Sequence, residues 1–258
     1  MSYLSFTYLI VPVFLVTMLV LMGIGHRVGT HRIHEDTESV RMGLVSVETA
    51  VFGVLGLILA FTYSGASTRF ELRRTVAIQE ANAVGTAWLR LDLLPQPAQA
   101  DLKEKMRRYG RVHVAAYEAL PDYAAFHAKL TQAKSMQAEI WIAAVAAARD
   151  APPPTAHLVL PPINDLIDIT GVREALAEVR TPGAIITLLM LLAVACSFLA
   201  GYGLAGAKPT SRRLHMVGFA VVLTGVIYIV LDYDHPRMGL IRVDFADAAL
   251  ESAVAGMK

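Results

Sequence analysis

Four long apolar segments divide the chain and predict four membrane-spanning helices. Each approaches or exceeds the roughly 20 apolar residues that an α-helix needs to cross a bilayer core of about 30 Å. The first segment lacks the basic start and the small-residue cleavage site of a signal peptide, so we expect it to remain as a span. The predicted spans are residues 3–25, 42–65, 181–207 and 214–231.

The segment between the second and third spans has the pattern of helices packed outside a membrane. No proline or turn cluster interrupts the second span before Pro95, so its helix should continue beyond the bilayer. Prolines at 152–154 predict a stiff linker before a last helix over 164–179. One helix face is expected to carry an apolar series at helical spacing: Leu102, Met106, Tyr109, His113, Tyr117 and Leu120.

These patterns predict an all-α membrane protein with a helical extramembrane domain between the second and third transmembrane helices. The predicted division has four parts. Residues 1–66 form the first two spans, 67–180 the helical domain, 181–231 the last two spans, and 232–258 a C-terminal tail.

Composition and charge narrow the possible functions. The 258-residue chain is 55% hydrophobic and 17% charged, against roughly 25% charged in soluble domains, which excludes a single soluble globule. A net charge of +1 gives no support to nucleic-acid binding. Cys196 is the only cysteine, which excludes a disulfide framework and a multi-cysteine metal site.

The loop after the first span collects imidazoles and carboxylates, which are metal-ligand types. Their spacing matches no established metal motif, so a solvated polar loop is the favoured interpretation and no metal site is predicted. No group of base, nucleophile and orienting residue converges anywhere in the sequence, so we predict that the protein is not an enzyme. The loop residues are His26, Arg27, His31, His34, Glu35 and Asp36.

Three carboxylates near the spans have two interpretations each. Glu48 lies six residues into the second span, where an ionisable group either serves a function or reaches back to the interface. Asp232 and Asp234 follow the fourth span. They offer oxygen ligands to a cation such as Ca²⁺, but ion pairing with the nearby Arg237 and Arg242 is the favoured interpretation.

A stripe of apolar residues runs along the second span. Gly53, Leu57 and Phe61 are spaced four apart, so they share one helix face. Such a stripe usually packs on a neighbouring helix or faces lipid, and it can instead line a narrow hydrophobic pore.

Several runs resemble a bacterial membrane family described as bestrophin-like and of unknown function. They follow in the family's order and cover most of the chain from the second span onward. These runs are residues 59–61 through 69–74, 80–90 with 92–95, 163–168 and 232–243.

A more distant resemblance to true bestrophins implies a pore. Those proteins are pentameric ion channels whose second span lines the pore and ends in a Phe-containing neck, with an Arg eight residues later. Phe61 precedes Arg69 by that interval, so the resemblance implies a neck at Phe61, Leu57 and Gly53. Gly53 departs from the bulky residue expected there. Residues beyond the neck are expected to place charge at the pore mouth or to be structural: Arg69, Arg73, Arg74 and Glu80.

The resemblance also implies partners and location. It suggests a homo-oligomer, pentameric by analogy, in the lipid of a bacterial inner membrane, with the helical domain in the cytoplasm and chloride as the conducted ion. Basic residues near the span ends number six on one side and seven on the other, so the positive-inside rule does not fix the orientation. No cofactor is expected apart from Ca²⁺ at Asp232 and Asp234. The alternative function is a membrane-anchored sensor or scaffold whose helical domain binds a partner.

Overall fold

A computed structural model describes residues 3–32, 38–120, 122–235 and 239–257. Those residues contain helices and no strand, which confirms the predicted all-α class. The helices are α1 (Tyr3–Arg32), α2 (Glu38–Arg90), α3 (Ala98–Glu118), α4 (Tyr123–Asp150), α5 (Pro153–Glu178), α6 (Gly183–Gly203), α7 (Pro209–Asp234) and α8 (Asp244–Ala255). A 3-10 turn over Leu91–Leu93 follows α2.

Within the described parts of the chain, four helical stretches are long and apolar enough to cross a membrane, as predicted. The qualifying stretches are Val11–Arg32, Met42–Leu93, Pro153–Gly203 and Pro209–Asp234. At 1.5 Å per residue the 53 residues of α2 extend for about 80 Å, more than twice a bilayer core. Its charge-poor part is 42–65, and charged side chains recur from Arg69 onward. The second span's helix therefore continues outside the membrane, as the sequence indicated.

The chain forms two compact units. The first, the membrane unit, comprises Met1–Thr68 and Arg180–His235, and the second, the helical unit, comprises Arg69–Val179 and Pro236–Lys258. The unit boundaries fall near the predicted ends of the spans.

Glycines allow a close crossing of α1 and α6 within the membrane unit. A Cβ atom added at Gly201 would overlap the carbonyl oxygen of Met22, and one added at Gly25 would overlap that of Phe198. Small residues let transmembrane helices approach to backbone contact, where dispersion and weak polar contacts hold them together. This crossing orders the membrane unit around a core that includes Met18, which is fully buried.

The helical unit is built around the predicted apolar face of α3. Leu102, Met106, Tyr109, His113 and Tyr117 are all buried there. The C-terminal helix α8 also packs on this core. A Cβ atom at Gly110 would lie 2.9 Å from the side chain of Val254, so a glycine is needed where α8 meets α3.

The predicted linker at 152–154 is wrong in part, because α5 begins at Pro153 and includes Pro154, Pro161 and Pro162. Proline fits the first turn of a helix, since the N–H groups there have no partner within the helix and the fixed φ is already helical. The last helix of this region is therefore longer than the predicted 164–179.

Candidate functional site

The membrane half of α2 is packed less within the chain than any other apolar helix. Only 6% of its most apolar window is buried, against 22–28% for the other three candidate spans. Leu57 is 56% exposed and Phe61 is 70% exposed, and a Cβ atom added at Gly53 would meet no heavy atom within 4 Å. The opposite face carries the buried Leu55 and Thr62. The structure thus puts the three stripe residues together on one open face.

Glu48 lies away from this open face. Its position on α2 is about 140° around the helix from Phe61, at 100° per residue. Its carboxylate sits beside the last residue of α6, where a Cβ atom at Gly203 would lie 3.2 Å from Oε2. The half-buried Glu48 therefore packs against another helix of the membrane unit and does not line the same surface as Leu57 and Phe61.

The histidine loop is only partly within the described residues. His26 lies in α1 and its Nε2 accepts a hydrogen bond from Nη1 of Arg212 at the start of α7. Arg27 and His31 are exposed on α1. The remaining members, His34, Glu35 and Asp36, lie outside the described residues. Among the residues that the structure describes, no group of three His, Cys, Asp or Glu side chains could hold a metal ion.

Arg73 is tied to the end of α5 in the helical unit. Its Nε donates to the carbonyl oxygen of Leu176 at 3.1 Å, and Nη2 donates to that of Val179. The last carbonyl groups of a helix lack partners within the helix and carry partial negative charge, so a guanidinium satisfies and stabilises them. The neighbouring Arg74 is exposed and contacts Glu71 at 3.5 Å, and Arg69 is half-buried.

Glu80 is the centre of a buried charge network in the helical unit. Its side chain is fully buried and accepts a hydrogen bond from His113 Nε2 at 2.9 Å and another from Arg173 Nη1. The second Arg173 nitrogen, Nη2, binds Asp247 of α8. Burial acts to raise the pKa of Glu80, but the hydrogen bond and charge of His113 and the charge of Arg173 outweigh burial, so this pKa lies below its ordinary value. The network joins α2, α3, α5 and α8.

Aromatic and hydroxyl groups enclose this network. The guanidinium of Arg173 lies 3.6 Å from the ring centroid of Tyr117, a cation–π arrangement. The Tyr109 ring stacks on His113. Its hydroxyl accepts from Gln137 at 3.0 Å and donates to Thr170 at 3.3 Å. Burial, together with the nearby Glu80, raises the pKa of Tyr109, so the phenol stays neutral.

Sequence reasoning did not assign Arg173 or Asp247 to this network. The available indication was the pattern on α3, where His113 interrupts an otherwise apolar face between two tyrosines. A polar residue on a buried face needs a hydrogen-bonding partner, but the partner Glu80 lies 33 residues from His113 in the chain, and Arg173 lies 93 residues from Glu80. Periodicity cannot identify partners at such separations.

The carboxylates after the fourth span are buried in the membrane unit. Asp232 is 1% exposed and Asp234 is 5% exposed. Asp234 Oδ2 accepts a hydrogen bond from the backbone N–H of Thr181 at 3.1 Å, just before α6 begins. His235 Nε2 accepts from Arg180 at 3.1 Å. These contacts stabilise the junction between α7 and α6, and a Ca²⁺ site at Asp232 and Asp234 stays a prediction.

A search of curated proteins found no match to this chain, whereas solved structures matched over most of its length. A structure of a bacterial bestrophin homologue from Klebsiella pneumoniae, solved as a single-residue variant, covers 95% of this chain and 97% of its own, at 14% identity and a TM-score of 0.70. Another structure of a bestrophin homologue from that organism covers 94% and 97%, at 14% identity and a TM-score of 0.69. At this identity the likeness shows a shared fold.

The match to a family model covers more of the chain than the sequence runs that resemble the bestrophin-like family. The model of the Bestrophin-like domain matches residues 12–247, which include α1 from residue 12 onward, the other three apolar helices and the whole buried charge network. The protein therefore belongs to the bestrophin-like family.

Proposed function

We propose that this chain is one subunit of an oligomeric ion channel whose pore is lined by α2. The observation that carries the proposal is the open face of α2, where Leu57 and Phe61 are mostly exposed although the opposite side of the same helix carries the buried Leu55 and Thr62. Characterised members of the bestrophin-like family are ion channels, which supports the same function.

A ring of Phe61 side chains would work as a hydrophobic constriction. Copies of α2 around a symmetry axis would each present the same face inward. A narrow apolar ring excludes water and ions unless it widens, which is how hydrophobic gates operate. Because Gly53 has no side chain and open space beside it, the constriction would be narrowest at Leu57 and Phe61.

The finer properties of the channel are proposals that rest on the family resemblance. They are five subunits, residence in the bacterial inner membrane and a cytoplasmic position for the helical unit. Chloride as the conducted ion is a further proposal that rests on the resemblance, and positive charge at the pore mouth would support it. Of the arginines expected to supply this charge, Arg73 binds carbonyl groups at the end of α5.

Ion flux through reconstituted protein tests the proposed function. The full chain would be reconstituted in liposomes with a salt gradient, and the wild type compared with Phe61→Ala. We expect the wild type to pass ions above the level of empty liposomes. The Phe61→Ala variant should pass more, because removing the ring widens the constriction.

Leu191→Ala provides the matched control. Leu191 is 61% exposed on α6, so this change also shortens an exposed apolar side chain, but on another helix. Its flux should equal that of the wild type. Background flux from all three proteins, although each elutes as an intact oligomer, would refute a channel and favour the membrane-anchored scaffold.

A further inference from the structure

The part of α2 outside the membrane carries an exposed stripe of uncharged polar side chains. Thr75, Gln79, Asn82 and Thr86 are all exposed and follow one another at spacings of four, three and four. These steps keep them on one face of the helix. Hydroxyl and amide groups can take the place of some of the water molecules around an ion. Because they are uncharged, they attract cations and anions only weakly.

This stripe continues the face that bears Phe61. Because α2 has no break between Glu38 and Arg90, further steps of three and four residues lead from Phe61 through Ser64 and Thr68 to Glu71 and then Thr75. All five of these side chains are exposed. Along this face from Phe61 to Thr86, Glu71 is the only charged residue.

The nearby arginines are turned away from the stripe. Arg69 and Arg73 lie two residues on either side of Glu71, and residues two apart on a helix do not face each other. Arg73 is engaged with the carbonyl groups of Leu176 and Val179. Arg69 is half-buried, whereas Glu71 is exposed.

Arg74 offsets the Glu71 charge only in part. The two side chains are 3.5 Å apart at the closest, with 49% of Arg74 and 58% of Glu71 exposed to solvent. Exposed ion pairs of this geometry are weak and break readily. The carboxylate therefore stays accessible from the face that carries the stripe.

We infer that Glu71 determines the charge of the permeant ion and makes the pathway favour cations over anions. The inference rests on the proposed channel, in which each subunit would contribute one carboxylate to a ring just beyond the Phe61 constriction. Rings of Asp or Glu concentrate cations at a pore mouth and exclude anions. No ring of arginine charge on the same face opposes them.

Reversal potentials of the full-length channel in planar bilayers test this inference. With KCl at different concentrations on the two sides, the wild type should reverse near the potassium equilibrium potential. Glu71→Gln should lower the ratio of potassium to chloride permeability by about fivefold or more, since a ring of charge changes the local potential by several kT. Arg74→Gln should raise that ratio, because the carboxylate loses its nearby cation.

Glu104→Gln is the matched control. Glu104 forms a similar exposed pair with an arginine three residues later on α3, at 3.3 Å, and should leave the reversal potential unchanged. A wild-type reversal near the chloride potential, or a Glu71→Gln ratio equal to that of the control, would overturn the inference and leave the channel itself standing. Absence of any current would overturn the channel and this inference together.

Discussion

Replacing Glu80 with glutamine perturbs the buried charge network at its centre while nearly preserving the side chain's shape. The carboxylate has two acceptor oxygens, one used by His113 and one by Arg173. A glutamine amide has one acceptor oxygen and an NH₂ group, which can only donate. In Glu80→Gln, the amide NH₂ must therefore face either Arg173, which can only donate, or His113, whose Nε2 must then change from donor to acceptor, and Arg173 keeps only Asp247 as an anionic partner.

The expected loss of stability is large. Removing one partner of a buried ion pair costs about 3–5 kcal/mol, because the remaining charge stays out of water. Since Asp247 still compensates Arg173 in part, we take the lower end, about 3 kcal/mol. That is a change of roughly 100-fold in the unfolding equilibrium. For a chain of this length it should lower Tm by about 6–10 °C.

Thermal unfolding of the full chain in detergent, followed by circular dichroism, measures this loss. The control is Glu174→Gln, which makes the same chemical change at the Glu174–Lys134 surface pair, where 23% of Glu174 and 55% of Lys134 are exposed. This surface pair contributes under about 1 kcal/mol, so the control should shift Tm by no more than about 3 °C. If both variants melt at the same temperature, the buried charge network does not stabilise the helical unit by the expected amount.

Two further predictions concern pH and helix packing. Because the pKa of Glu80 is lowered in the folded state, its contribution to stability is complete above the ordinary glutamate pKa of about 4.3 and is lost as the pH falls through the lowered value. The Tm difference between wild type and Glu80→Gln should therefore shrink below about pH 4, and a constant difference down to pH 2 would contradict this. Gly201→Ala should destabilise the membrane unit by about 3 kcal/mol or more, since the added Cβ overlaps the Met22 carbonyl and backbone cannot move aside cheaply. Gly218→Ala, which meets no atom within 4 Å, should melt like the wild type, and equal melting of the two alanine variants would show that the α1–α6 crossing is not tight.

The buried charge network has a mechanical consequence for the proposed pore helix. Glu80 fixes the outer part of α2 to α3 and α5, and Arg73 fixes it again at the end of α5. Both anchors use the side of α2 that faces the helical unit's core, which leaves the polar stripe exposed. In the proposed pore, these anchors would hold α2 rigidly from the side opposite the polar stripe. Such rigidity favours ion selectivity, because selectivity depends on the distances between the groups that line a pore.

The sequence by itself determined the helical class, the number of spans and the continuation of α2 beyond the membrane. These features follow from local rules: hydropathy over about 20 residues, the absence of proline, and helical spacing such as that from Leu102 to Tyr117. It also placed Gly53, Leu57 and Phe61 on one face, since helix geometry fixes the angle between residues four apart. The start of α5 was missed because prolines mark both linkers and helix first turns, and periodicity does not separate the two.

Only the tertiary structure decided which charges face the core and which face outward. Glu71, Arg73 and Glu80 lie within ten residues on one helix, and the sequence left Arg73 and Glu80 with two alternative roles, at the pore mouth or in the structure, and assigned none to Glu71. Folding buries Glu80 against His113 and Arg173, directs Arg73 to the carbonyl groups of α5, and leaves Glu71 exposed. The physical reason is that burying a charge is tolerated only where a partner from a distant part of the chain arrives. The identity of that partner is set by the packing of whole helices and cannot be read from local spacing.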